Sequence, residues 1–153
     1  MSDIDKRLQE LGIEVVGKTK AMGNYVLGRR TGNLLFLSGN GPMTDGQLLF
    51  QGKLGQDLSI EEGYQAARQT MINILGVLKQ ELGDLDRVEQ FVKLVGFVAS
   101  SPDFYDQPKV INGASDLLVE IFGDKGRHAR SAIGTNVLPF NFPVEIEIIV
   151  EIK

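Results

Sequence analysis

Over residues 59–82, apolar positions recur every three or four residues: Tyr64, Ala67, Met71, Ile74, Leu75, Leu78 and Leu82. That spacing predicts one apolar stripe along a long amphipathic helix. Ser59 and Glu62 stand three apart at its start, the pattern in which each side chain satisfies a free backbone N–H of the first turn. Gly83 ends it. The last segment has period two instead. Val144, Ile146, Ile148, Val150 and Ile152 face one way; Glu145, Glu147, Ile149 and Glu151 face the other. Residues 88–98 form a further strand. Its second half is apolar on both faces, which predicts an interior position covered on both sides.

Weaker signals fill the remainder. Asp3 is placed to cap a short helix reaching about Leu11, with Ile4, Leu8 and Leu11 on one side and Gly12 as its stop. Residues 24–29 read as a strand, joined through the Thr31-Gly32-Asn33 turn to a second strand at 34–38, a hairpin. Gly39-Asn40-Gly41-Pro42 breaks that strand, and a short extended stretch at 47–50 follows the Asp45-Gly46 turn. Residues 100–108 form a loop holding Pro102 and Pro108, 110–122 a second helix ended by Gly123, and 130–135 a strand. The order is strands, helix, strand, helix, strand, strand. An α/β fold follows, more closely an α+β two-layer sandwich: a mixed sheet with both helices packed on one face. No repeat, low-complexity tract or linker interrupts the chain. The expectation is one domain over residues 1–153, with residues 1–12 as an N-terminal helical extension.

Composition narrows the chemistry. The 153 residues are 42% hydrophobic and 24% charged, ordinary values for a folded protein. There is no cysteine, which excludes disulfides, thiolate zinc sites and a cysteine nucleophile. His128 is the single histidine, so a mechanism needing two histidines is excluded within one chain. The net charge of −4 argues against nucleic acid as a partner, because displacing phosphate counterions takes a basic surface. No apolar run approaches a membrane span, and the N-terminus is polar with no signal-peptide core. The expected location is the cytoplasm. The stretch from Ser38 to Pro42 is neither a dinucleotide fingerprint nor a P-loop.

Four segments, in order and spacing, resemble the YjgF/RidA (reactive intermediate deaminase) family, also called endoribonuclease L-PSP. They are Gly23-Asn24-Tyr25 with Leu34-Leu35-Phe36-Leu37-Ser38-Gly39; Ala66-Ala67 with Asn73-Ile74; Asp103-Phe104 with Val110-Ile111-Asn112; and Ala129-Arg130-Ser131-Ala132-Ile133-Gly134 with Leu138-Pro139 and Val144-Glu145-Ile146-Glu147. The resemblance spans nearly the whole chain. Ala132 and Asn40 stand where many members carry cysteine and glutamine, and the run from Phe122 to Arg130 and the longer N-terminus also differ. The chain therefore resembles a divergent branch.

The resemblance implies a chorismate mutase-like fold and a homotrimer with pockets between subunits. It implies no cofactor and no metal. It implies Arg130 and Glu145 as catalytic residues, and Tyr25, Ser38, Gly39, Asn112 and Arg130 as substrate-binding ones. The implied ligand is a small carboxylated metabolite. The implied reaction is hydrolysis of amino-acid-derived enamines or imines, of the 2-iminobutanoate or 2-iminopropanoate kind, to 2-keto acids and ammonia. The alternative is a trimer that binds 2-keto acids without turnover. An endoribonuclease or translation-inhibitor activity is weaker still, on the charge balance.

Each residue has a plainer reading beside that one. Arg130 presents a planar fork suited to a carboxylate, or is a surface or interface arginine. His128 is a candidate base, or an exposed loop histidine beside two arginines. Glu145 orients water in a pocket, or lies on the solvent face of an edge strand. Tyr25 is a pocket group or a half-buried strand tyrosine. Asn112 is a pocket group or a helix-start asparagine. Ser38 lines the pocket or ties off a backbone group.

Overall fold

The computed structural model describes all residues, 1–153. Helix α1 spans Asp3–Glu10. Strands β1 (Gly28–Thr31) and β2 (Leu34–Leu37) form the first hairpin. β3 (Met43–Thr44) and β4 (Gln47–Leu48) form a small second one, turned by Asp45 and Gly46, both at positive φ, the twist that a two-residue hairpin turn demands. Then come α2 (Ile60–Leu82), β5 (Val88–Ala99), α3 (Gln107–Phe122), β6 (Ala129–Thr135) and β7 (Val144–Ile152).

The main sheet runs β1-β2-β7-β5-β6. All its neighbours are antiparallel except β5 and β6, which are parallel and joined by the α3 crossover. One mixed sheet with α2 and α3 on one face is the two-layer arrangement expected. Val144, Ile146, Ile148, Val150 and Ile152 of β7 meet Met71, Ile74, Leu78 and Ile111 in one hydrophobic cluster of 29 buried residues. The capping box at Ser59 and Glu62 is formed as the spacing predicts.

The helices approach closely at Gly113, where an added Cβ would lie 2.0 Å from the Tyr64 carbonyl oxygen. Three residues on, the Tyr64 hydroxyl donates to Asp116 Oδ2 at 2.8 Å, tying α2 to α3. Ser115 lies on the turn of α3 between them.

Several boundaries differ from expectation. The cap of α1 is Ser2, whose Oγ accepts from the Asp5 N–H; Asp3 is the first helical residue. β1 begins at Gly28, and residues 24–27 are loop. There the Tyr25 hydroxyl accepts from the Met22 N–H, so this stretch folds onto itself instead of pairing. α3 starts at Gln107, with Pro108 in its first turn, where a missing N–H costs nothing.

β5 is interior, as predicted, but covered on one face only. On the other face Val95 and Phe97 are half-buried, beside Phe36 (42% exposed) and Ile133 (47% exposed).

Candidate functional site

The expected site residues fall into two groups at different places on the sheet. The first surrounds the end of β2. Phe36 opposes Ile149 and Asn40 opposes Ile146, so the three residues Leu37, Ser38 and Gly39 oppose two on β7, Glu147 and Ile148. This is a β-bulge, and it re-aims the chain at Ser38 and Gly39. Ser38 Oγ donates to the Val26 carbonyl at 2.7 Å, and its N–H to the Leu27 carbonyl at 2.9 Å. The hydroxyl thus ties down the loop that carries Tyr25. The tyrosine ring is half exposed and borders both large surface depressions.

Glu145 lies at the start of β7, aligned with Phe97 on the face without helices. β7 is interior, between β2 and β5, which corrects the edge-strand reading of this glutamate. Its carboxylate rests over Gly39, where a Cβ would come within 3.1 Å of the Glu145 Cδ. Burial, and secondarily the charge of Glu147, raise its pKa above the ordinary carboxylate value. It has no ion pair within the chain. Glu145, Gly39 and Tyr25 line an open groove of about 1300 Å³.

Asn73 of α2 also borders this groove and was not singled out as a site residue from the sequence. Its Nδ2 donates to the Gly41 and Met43 carbonyls at 3.0 and 2.6 Å, fixing the turn after the bulge. The signal for it was the Asn73-Ile74 pair within the segments that carry the family resemblance.

The second group sits where α3 crosses β6. Arg130 aligns with Leu94 of β5 on the helix-bearing side, and its Nη1 donates to Asn112 Oδ1 at 2.8 Å and Ser115 Oγ at 3.1 Å. Asn112 is in the second turn of α3, not at its start, and Ser115 follows three residues later on the same side. The His128 ring bonds Ser115 Oγ through Nε2 at 2.9 Å and the Gly126 carbonyl through Nδ1 at 2.7 Å. It is a half-buried, fully partnered histidine rather than an exposed loop residue. Burial, chiefly, and the Arg130 charge hold its pKa below the ordinary imidazole value, against the opposing pull of the Gly126 hydrogen bond.

Arg130 is half-buried and has no carboxylate within ion-pair distance, whereas neighbouring Arg127 pairs with Asp124. An unpaired, partly desolvated guanidinium has free donors that an anion can take up. The chain alone does not bring this group to Glu145. The register places Arg130 two strands and three residues away on the opposite face, about 14 Å from strand spacing and rise. No group of three or more His, Asp or Glu side chains is placed to hold a metal ion.

A mixed sheet under two helices, with one face open and polar groups gathered at its two ends, defines the chorismate mutase-like class of α/β sandwiches. Within that class the chain belongs to the family described as "YjgF/chorismate_mutase-like, putative endoribonuclease", which it matches over residues 5–152. It is 43% identical over 147 residues to protein TCP17 of Trypanosoma cruzi, covering 95% of this chain and 92% of that one. The crystal structure of Atu1372 from Agrobacterium tumefaciens superimposes with a TM-score of 0.92 at 44% identity, over 99% of this chain and 93% of that one. YyfA of Yersinia pestis, titled a member of the conserved Rid protein family, superimposes with a TM-score of 0.63 at 26% identity, over 90% and 98%.

Proposed function

We propose that this protein is a Rid-type deaminase that hydrolyses imines of 2-amino acids, acting as a homotrimer with Arg130 of one subunit and Glu145 of the next in each pocket. The observation that carries the reading is Arg130 itself: a half-buried guanidinium held on one side by Asn112 and Ser115, with no anion of its own. A substrate carboxylate supplies that anion. Two further features support it. Burial, and secondarily the charge of Glu147, raise the Glu145 pKa, which makes it a stronger base than an ordinary carboxylate. The open sheet face carries Phe36, Phe97 and Ile133, apolar area that a second copy would cover.

In this mechanism Arg130 binds the carboxylate bidentately and orients the C=N bond. Glu145 takes a proton from water as its oxygen attacks the imine carbon. That proton passes to the imine nitrogen, giving a neutral carbinolamine. On collapse the carbinolamine hydroxyl loses its proton to Glu145, which delivers it to the amine as the C–N bond breaks, so ammonia leaves and the new C=O is that of a 2-keto acid. The likeness to the Yersinia protein titled a member of the conserved Rid protein family supports placing this chain among Rid proteins.

The test is to mix the protein with freshly generated imines of several amino acids and follow 2-keto acid and ammonia. Acceleration is expected, with kcat/KM reduced about 100-fold in Arg130→Lys, since a point charge does not replace the fork. Near-normal turnover in that variant refutes the mechanism. No turnover by the unaltered protein, with calorimetric binding of a 2-keto acid, turns the reading to a binding protein.

A further inference from the structure

The groups behind Arg130 form a directed chain of hydrogen bonds. The Gly126 carbonyl only accepts, so the His128 Nδ1 lying 2.7 Å from it carries the ring proton. On a neutral ring Nε2 is then an acceptor, and the Ser115 hydroxyl donates to it across 2.9 Å. With that proton committed, the Ser115 oxygen offers lone pairs to Arg130 Nη1 at 3.1 Å. Asn112 Oδ1 takes a second Nη1 hydrogen bond at 2.8 Å. Nη1 is thereby fully used, while Nε and Nη2 have no partner in the chain. That remaining edge is one of the geometries that grips a carboxylate with two parallel bonds.

We infer that Ser115 and His128 are positioning residues for Arg130: the neutral His128 ring sets the direction of the Ser115 hydroxyl, which with Asn112 holds the guanidinium so that its Nε–Nη2 edge meets the substrate carboxylate. The inference rests on the carboxylate reading given above and extends it to two residues outside the family pattern read from the sequence.

The same distances invite a second reading, a serine nucleophile activated by a histidine base, and the surrounding charges decide against it. A base must become imidazolium, and here it would do so beside the Arg130 guanidinium. The Nδ1 partner that would stabilise it is a neutral carbonyl rather than a carboxylate. The anions of the adjoining elements are committed elsewhere: Asp116 of α3 to Tyr64, and Asp124 of the preceding loop to Arg127. Lys93 of β5, aligned with Ala129, adds only another cation. His128 is built to accept a hydrogen bond and stay uncharged.

The experiment measures binding of pyruvate and of 2-oxobutanoate by calorimetry at neutral pH. It uses the unaltered protein and Arg130→Ala, Ser115→Ala, His128→Ala and His128→Gln, each first checked for an unchanged melting profile. Arg130→Ala should abolish binding. Ser115→Ala and His128→Ala should weaken it about tenfold, the scale of one hydrogen bond to a charged group. His128→Gln, whose amide oxygen can accept in place of Nε2, should recover most of that loss; a merely space-filling histidine would not be rescued this way. Because His128 is the only histidine, ring 15N spectra report it alone. They should show the Nδ1–H tautomer in the unaltered protein, retained in Ser115→Ala because the Gly126 carbonyl still accepts from it. Normal affinity in Ser115→Ala and His128→Ala with binding lost in Arg130→Ala overturns the positioning chain and leaves the carboxylate reading standing. An Nε2–H tautomer in the unaltered protein overturns the chain whatever the affinities. Absence of binding by the unaltered protein, or unchanged binding by Arg130→Ala, overturns the carboxylate reading and the inference with it.

Discussion

Replacing Gly113 with alanine sets two effects of opposite sign against each other at the seam between the helices. A mid-helix Gly→Ala change gains about 0.5–1 kcal/mol from the stiffer unfolded chain. Against it stands the new Cβ, 2.0 Å from the Tyr64 oxygen, 2.9 Å from its carbonyl carbon and 3.2 Å from the Arg68 nitrogen. All three are backbone atoms of α2, so no side-chain rotation relieves the contact. The helices must part by more than about 1 Å to reach an ordinary separation. Overpacking of this kind costs about 3 kcal/mol, which leaves a net loss of about 2 kcal/mol. With a urea m-value of about 2 kcal/mol/M, the midpoint should fall by about 1 M. Urea unfolding followed by far-UV circular dichroism, at equal protomer concentration for both proteins, measures it. An unchanged or raised midpoint would refute the reasoning, because the seam would then have yielded more cheaply than the propensity gain. Asn112 and Ser115 flank Gly113, so the same shift should weaken carboxylate binding through Arg130.

Two further outcomes follow from side-chain titration. Tyr64 is pushed up to about 12, first by donating a hydrogen bond to Asp116, then by burial and by that aspartate's charge. Its stabilising contribution is full below the ordinary value of 10 and lost as pH rises through about 12, so absorbance titration should lose a component near 12 in Tyr64→Phe. That variant should cost only about 0.5–1 kcal/mol, since the bond is largely exposed. The raised carboxyl of Glu145 stabilises the fold fully below its unfolded pKa and ceases to do so as pH rises through the folded value. Glu145→Gln should therefore melt higher than the unaltered protein at neutral pH, with the difference closing near pH 4; a constant difference contradicts the assigned shift.

What the sequence reveals and hides follows from how local each determinant is. α2 was readable because its capping pair and its stripe lie within one segment. The alternation of β7 was readable because one face is buried. Residues 24–27 misled because Tyr25 closes a turn on Met22, a contact with no periodic signature. Asp3 and Ser2 are both good capping residues, and only the reach of Ser2 to the Asp5 N–H decides between them. Strand order is a long-range property, so the central place of β7, and with it the surroundings of Glu145, was not visible. Ser115 escaped notice because a helical serine carries no chemistry until Arg130 and His128 are folded against it.

The separation of Arg130 from Glu145 is itself an argument about assembly, and it can be put to a quantitative test. If one chain supplied both groups, protein carrying Arg130→Ala and protein carrying Glu145→Gln would stay inactive when mixed. In the proposed trimer each pocket draws Arg130 from one subunit and Glu145 from the next. A pocket is intact when a Glu145→Gln subunit supplies the arginine and an Arg130→Ala subunit supplies the glutamate. Random reassembly of an equal mixture gives that pairing at about a quarter of the pockets, a consequence of the head-to-tail interface of a cyclic trimer. Co-refolding the two variants and assaying imine hydrolysis should therefore restore about a quarter of the original activity. Mixing without subunit exchange should restore none. Recovery absent after demonstrated exchange would mean that a single chain supplies both groups, and would overturn the shared pocket; activity in Glu145→Gln alone would remove Glu145 from the mechanism. Recovery near a quarter would show that neither subunit holds a working site alone, which is what an unpaired guanidinium on one face and an unpaired carboxylate on the other require.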